Sequence, residues 1–413
     1  MTDNEAKRTS GHRKAISFVF VTVLIDAMGI GIIIPVMPDL IRELGGLSLG
    51  SAAVVGGYLT FVYALMQFTS GPTLGNLSDR FGRRPVLLVS LFALAVDYLI
   101  MGFAPTLWLL FVGRALAGVA GATYSTANAF IADISPPERR AQNFGLLGAG
   151  FGVGFVAGPL IGGLAGELGT RAPFFAAAAI AIANFAWGAF VMPETLAADR
   201  RRSFRWRRAN PLGAARQIAR MPALSWFFLA MFLYEIGHHV YPAIWSFYTK
   251  EAFAWSNAEV GLSLAVVGVC FAVVQGWLIR LIIPRAGEAG TVWIGFVVSI
   301  AGLIFFGFAT EGWMIYAALP LTAFGALITP ALTGVMSNQV SERAQGELQG
   351  ALASLLGITM IISPLLMTQI FGYFVSDSAP VYLPGAAFLG AAVLMLTALV
   401  PLYLGLRRAA QRR

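Results

Sequence analysis

Four places in this chain put ionisable side chains inside strongly apolar sequence. Asp26 lies in Leu24-Ile25-Asp26-Ala27-Met28-Gly29-Ile30-Gly31, Asp97 in Ala95-Val96-Asp97-Tyr98-Leu99, and Arg114 in Val112-Gly113-Arg114-Ala115-Leu116. Glu235, His238 and His239 make the fourth, spaced i, i+3 and i+4 so that one helix face carries all three. Holding a charged group at mid-bilayer costs roughly 2.5–3.5 kcal/mol on insertion scales, so each needs a reason. A carboxyl there can take up a proton and release it when water arrives. An arginine cannot shed its proton; opposite an acid, it competes with the proton for that carboxylate. Structural carboxylates and structural ion pairs are the alternative reading of Asp26, Asp97 and Arg114. Glu235, His238 and His239 can be read as a proton relay, a polar cavity wall or buried hydrogen-bonding groups. They lack a further ligand nearby in sequence, so no metal is expected.

Such groups need elements that cross a membrane. Of the 413 residues, 58% are hydrophobic and 12% charged, against about one quarter charged in a soluble domain. Apolar runs of about 20 residues match the ~30 Å hydrocarbon core. Twelve are legible, at 15–37, 52–74, 86–104, 107–130, 143–165, 172–192, 224–246, 257–279, 291–309, 312–335, 348–374 and 381–404. They are called spans 1 to 12 below. The first is too long for a signal-peptide core and is read as retained. Asp26 lies twelve residues after Lys14, about 18 Å into its helix at 1.5 Å per residue. Gln67, Asn128 and Gln275 are uncharged polar groups on the spans and are expected in the cavity with His238 and His239. Most other polar groups, such as Asn184, are expected to bond between helices. Cys270 is the single cysteine, which excludes a disulfide framework.

Charge placement orients the spans. With both ends cytoplasmic, 24 of the 28 Lys and Arg fall on the cytoplasmic side; Arg42, Arg171 and Lys250 fall opposite and Arg114 lies within a span. The longest polar stretch, 194–222, carries Arg200, Arg201, Arg202, Arg205, Arg207 and Arg208. It reads as a cytoplasmic linker meeting lipid headgroups rather than nucleic acid. It separates an N-terminal six-helix bundle (1–193) from a C-terminal one (223–413). The halves also repeat. Gly145, Gly152 and Pro159 recur as Gly350, Gly357 and Pro364, an offset of 205 at each position. Phosphate loops of the G-x4-G-K-[S/T] type and HExxH are missing from the sequence. Neither an enzyme nor an ATP-driven pump is expected, and the buried acids remain as the coupling device.

The residues also carry a resemblance. Gly75-x-Leu77-Ser78-Asp79-Arg80-Phe81-Gly82-Arg83-Arg84 resembles the 2–3 loop motif of the major facilitator superfamily. Arg114-x3-Gly118 resembles the span 4 motif of its proton-coupled members. Gly150 to Gly163, with Gly154, Gly158, Pro159 and Gly162, resembles the span 5 motif of its antiporters. Leu24 to Gly31, Asp97-Tyr98-Leu99 and Gln345 to Gly350 are similar to the tetracycline/proton exporters in particular. The resemblance implies an all-α fold of twelve transmembrane helices in two pseudo-symmetric bundles. It implies an antiporter that exports an amphipathic drug-like molecule against protons from the bacterial inner membrane, as a monomer without cofactor. By the same resemblance, Asp79, Arg83, Arg84 and Asp133 form a conformational latch. In the second half the loop motif has decayed, leaving Arg280 and Arg285 without the acid. Tetracycline exporters carry a histidine in span 8 and an acid in span 9, where this chain has Phe271 and Ser299. The expected proton route through the second half therefore runs by span 7. Transport of a cell's own metabolite or siderophore is the alternative function, and a receptor without transport the rival from another class.

Overall fold

The structure is a computed structural model and describes residues 3–121, 123–197, 199, 201–204 and 221–411. Arg200, Arg205, Arg207 and Arg208 of the linker lie outside the described residues. So do the side chains of the N-terminal cations.

All regular structure among the described residues is helical. The first half comprises α1 (Asp3–Ile33), α2 (Met37–Gly45), α3 (Leu49–Phe81), α4 (Arg83–Phe103), α5 (Leu107–Ala120), α6 (Thr123–Ile134), α7 (Pro137–Gly166) and α8 (Ala172–Val191). The second comprises α9 (Ser225–His238), α10 (Val240–Phe253), α11 (Asn257–Val273), α12 (Ile279–Gly307), α13 (Gly312–Thr322), α14 (Ile328–Ser337), α15 (Gln345–Phe374) and α16 (Ala386–Ala410). Nine helical stretches among the described residues are long and apolar enough to span a bilayer. One of them, Asn257–Gly307, is 51 residues long and holds spans 8 and 9, which part at the non-helical turn of Gly287 with φ of 69°. Spans 4 and 7 are each divided between two shorter helices, which completes the twelve.

Those divisions are what the hydrophobic pattern did not reveal. Span 1 breaks after Ile33 and span 7 after His238. Span 4 breaks after Ala120, and span 10 passes through a 3-10 turn at Ala323–Leu327. Both pairs of breaks stand one repeat apart, at the offset of 205. Proline explains three of them. A proline supplies no N–H to the carbonyl four residues back. Pro38, Pro242 and Pro330 therefore withhold the helical bond from Ile34, His238 and Ala326. Span 4 carries no such proline, and Gly121 stands at its break.

Two compact units gather these elements. One comprises Met1–Leu40, Leu65–Pro211 and Asn257–Ala265; the other comprises Ile41–Ala64, Leu212–Ser256 and Val266–Arg413. The first has a core of Phe18, Val19, Val23, Leu87, Leu91, Phe130, Ile131 and Leu147, all nearly inaccessible. Small residues let its helices approach closely. Gly154, Gly158 and Gly162 of α7 lie against the backbone of α1 at Leu24, Met28 and Ile32. Gly163 and Gly166, on another face of α7, lie against Asn257 of α11. In the second unit, Val274 of the π-helical turn Val274–Leu278 packs on Ala323, Ala326 and Leu327 of the 3-10 turn.

A β-carbon at Gly158 would meet the Met28 carbonyl oxygen and the Gly31 Cα, which are backbone and cannot rotate away. Overpacking of this kind costs about 1–3 kcal/mol. Gly158→Ala is expected to lower the melting temperature of the detergent-solubilised protein, while Gly152→Ala, whose β-carbon meets open space, leaves it unchanged.

Candidate functional site

The first unit joins two of the buried charges directly. Asp97 on α4 and Arg114 on α5 form an ion pair through the carboxylate Oδ2. The Asp97 side chain is 0% exposed and that of Arg114 13%. Space for it comes from Gly113, where a β-carbon would stand 2.7 Å from Asp97 Oδ1. The next residue, Tyr98, places its hydroxyl on α1 at Gly29. That glycine is three residues from Asp26, so one helix turn separates the paired acid's neighbour from the other acid. Among the described residues no hydrogen bond or ion pair engages the Asp26 carboxylate. It sits on α1 between Leu24 and Met28, whose carbonyls face the glycines of α7. Asn184 of α8 accepts a hydrogen bond from Thr22 at 3.3 Å, an inter-helix bond as expected.

Gln67 is tied to the break in span 4. Its amide nitrogen donates to the Gly121 carbonyl at 3.1 Å, at the break in span 4. In the second unit Tyr234 does the same for span 10, donating to the Gly325 carbonyl at 2.8 Å. Asn128 lies on α6. Gln275 is exposed on the π-helical turn.

The span 7 residues separate into two groups. Glu235 is 4% exposed and accepts a bond from Thr329 of α14 at 2.7 Å. His239 Nδ1 lies 3.7 Å from the other carboxylate oxygen and 2.7 Å from the Glu235 backbone carbonyl. A carbonyl oxygen accepts, so this nitrogen carries the hydrogen. His238 instead stacks between aromatic rings. Tyr234 lies 5.3 Å away at 23° and Phe271 lies 6.1 Å away at 19°. Gly325, beside His238, also faces Ser299, whose buried hydroxyl has no hydrogen-bond partner among the described residues. Span 7 thus brings His238 into the same neighbourhood as Phe271 and Ser299. Three His, Cys, Asp or Glu side chains suited to a metal do not converge anywhere among the described residues.

The 2–3 segment is less of a loop than its sequence suggests. Helix continues to Phe81, turns at Gly82 with φ of 110°, and resumes at Arg83. Arg83 donates to Asp79 at 2.7 Å, Ser78 at 3.1 Å and Asp133 at 3.0 Å. Arg84 turns away, donating to the Ala189 carbonyl at 2.6 Å. Glu194 was not foreseen. One of its oxygens accepts the backbone N–H groups of Arg83, Thr195 and Leu196 at 2.9–3.0 Å. Its position directly after Pro193 at a span end was the available signal. Thr329 and Gly113 were also missed, because their partners lie on other helices.

Buried charges held on helices that recur in two halves of a many-spanning chain define a class: a membrane transporter. A family model described as Major Facilitator Superfamily matches residues 19–364, and the chain belongs to that superfamily, in the branch of the tetracycline resistance proteins. It is 42% identical over 357 residues to the class C tetracycline resistance protein of Escherichia coli, covering 86% of this chain and 89% of that protein. Identity to the class B protein of Escherichia coli is 39% over 358 residues, covering 86% and 87%. Among solved structures, a bacterial homolog of the human lysosomal transporter Spinster matches with a TM-score of 0.76 at 17% identity, covering 98% of each chain. The human organic anion transporter MFSD10 matches with a TM-score of 0.69 at 23% identity, covering 95% and 99%. The last two speak for the fold.

Removing one partner of a buried ion pair costs about 3–5 kcal/mol, because the other charge is stranded. Arg114→Ala is therefore expected to destabilise the protein more than the double variant Asp97→Asn with Arg114→Ala. Thermal unfolding of both in detergent tests the order.

Proposed function

We propose that the chain is a proton-driven antiporter that exports tetracycline-type amphipathic drugs by alternating access. The observation that carries this is the 42% identity to a tetracycline resistance protein over most of both chains. Asp26 and Glu235 take up and release protons; Asp97 does so in competition with Arg114. When a proton neutralises Asp97, its attraction to the guanidinium falls, and the two helices that carry them are released to move. His238, His239, Gln275 and Asn128 face the drug, and Gln67 steadies the break in span 4 beside it. The stacked rings of Tyr234, His238 and Phe271 suit a flat, partly aromatic molecule. Asp79, Arg83 and Asp133 tie the cytoplasmic end of span 4 to the 2–3 turn, with Arg84 holding the turn to span 6.

The energy source is the proton gradient, without a cofactor, and the chain is a transporter rather than an enzyme. It lies in a bacterial inner membrane with both termini cytoplasmic, as the arginine and lysine placement favours. It works as a monomer among lipids whose anionic headgroups meet the linker. The face of α7 that carries Gly163 and Gly166 is the seam on which the halves rock.

Reconstituted vesicles with an imposed proton gradient test the reading. Wild-type protein is expected to accumulate tetracycline, and Asp26→Asn to reduce gradient-driven uptake to the protein-free level. Uptake without dependence on the gradient, or no uptake by wild-type protein, overturns the assignment. Accumulation of an unrelated metabolite in the same assay favours the endogenous-transport reading.

A further inference from the structure

The second copy of the 2–3 motif has decayed in sequence, yet its glycine turn and one of its side-chain contacts recur in the second unit. Gly82 turns with φ of 110°, and Gly287, one repeat later, turns with φ of 69°. A side chain rarely adopts such backbone, so both turns require glycine. The residue after each glycine reaches the end of the next broken span. Arg83 meets Asp133 at 3.0 Å. At the offset of 205 these become Glu288 and Asn338, and Asn338 Nδ2 donates to Glu288 Oε2 at 2.7 Å. A neighbouring bond repeats as well. Arg140 donates to the Ala132 carbonyl at 3.4 Å, and Gln345 to the Ser337 carbonyl at 2.9 Å.

We propose that Glu288 and Asn338 form a second cytoplasmic tie, equivalent in place to Arg83 and Asp133 and reversed in polarity. The donor has moved from the turn to the span end, and the acceptor from the span end to the turn. The tie holds the cytoplasmic end of span 10 to the 8–9 turn in one access state and opens in the other. This rests on the reading of the chain as an alternating-access transporter. Gly334, beside the pair, leaves room for the Glu288 carboxylate, since a β-carbon there would stand 2.6 Å from Oε1. Arg285 is engaged elsewhere, with the Leu281 carbonyl at 2.8 Å. Both residues are positioning residues; neither touches the drug.

Persistence of the contact while the motif decayed is the argument for a role. Three features recur at one offset, and the side chains at the tie have exchanged chemistry without losing the bond.

Charge inversion tests it. Asn338→Asp sets two carboxylates against each other, and Glu288→Arg turns a donor onto the Asn338 amide nitrogen, so that the amide must flip before its oxygen can accept. Combining them restores an Arg–Asp pair like that of the first half. A hydrogen bond to a charged group contributes enough to shift a two-state equilibrium by roughly tenfold or more. Each single variant is expected to lower maximal tetracycline flux about tenfold by that figure, with KM changed less than about twofold. The double variant is expected to recover most of the flux. Backbone hydrogen exchange of residues 279–307 and 328–345, measured without drug, should rise in each single variant and fall back in the double. Single variants indistinguishable from wild type in flux and exchange overturn the proposal. So does a correctly folded double variant no better than the poorer single. If wild-type protein carries no tetracycline, the exporter reading fails, and the exchange series still decides whether the tie exists.

Discussion

Lipid offers a buried carboxylate no water, so every charge inside this protein must have a partner, a proton or a reason to be exposed in turn. Asp97 and Arg114 meet that demand with each other. Glu235 meets it with Thr329 and His239. Asp26 has neither kind of partner among the described residues. The three acids therefore differ in what must happen before each can change charge. Asp97 must part from a guanidinium, Glu235 must give up two neutral or weakly charged partners, and Asp26 needs water alone.

The same demand governs the backbone. A helix that breaks inside a membrane leaves carbonyls without their ladder partners. Here the breaks in spans 4 and 10 are met by side chains, Gln67 on Gly121 and Tyr234 on Gly325. The breaks in spans 1 and 7 stand one repeat apart as well. His239 sits at the second of these and closes its own ring nitrogen onto the Glu235 carbonyl. Proton-carrying candidates, aromatic stacking and irregular backbone thus gather on the same spans. Discontinuous helices give the chain places to bend without unpacking its straight ones.

Much of this was legible from residue types. Apolar run lengths gave twelve spans, and the recurrence of Gly145, Gly152 and Pro159 marked the repeat at which the span breaks also stand. Asp26, Asp97, Arg114 and Glu235 stood out by cost alone. What stayed hidden depends on which helices touch. Asp97 and Arg114 were read as separate candidates, since residues 17 apart with a turn between them have no fixed relation in sequence. Gly113 looked like any small residue until the carboxylate beside it was seen. Glu194 looked like the start of a linker, although its carboxylate binds the backbone of the 2–3 turn. The span breaks were missed because hydropathy windows average over them, although Pro242 and Pro330 carried the signal. Glu288 and Asn338 were invisible to motif matching, since their identities changed while their contact remained.

The two glycine faces of α7 set a limit of a different kind. At Gly154, Gly158 and Gly162 the neighbouring atoms are carbonyls of α1, and at Gly163 they belong to the backbone of α11. Backbone cannot be replaced by mutation, so no second substitution on the facing helix can make room for a larger residue there. Variation that adapts the protein to new drugs is shut out of this column and channelled to positions where side chain meets side chain, such as Phe271 and His238. Selection under changing antibiotics would leave the column fixed and let the aromatic neighbourhood drift.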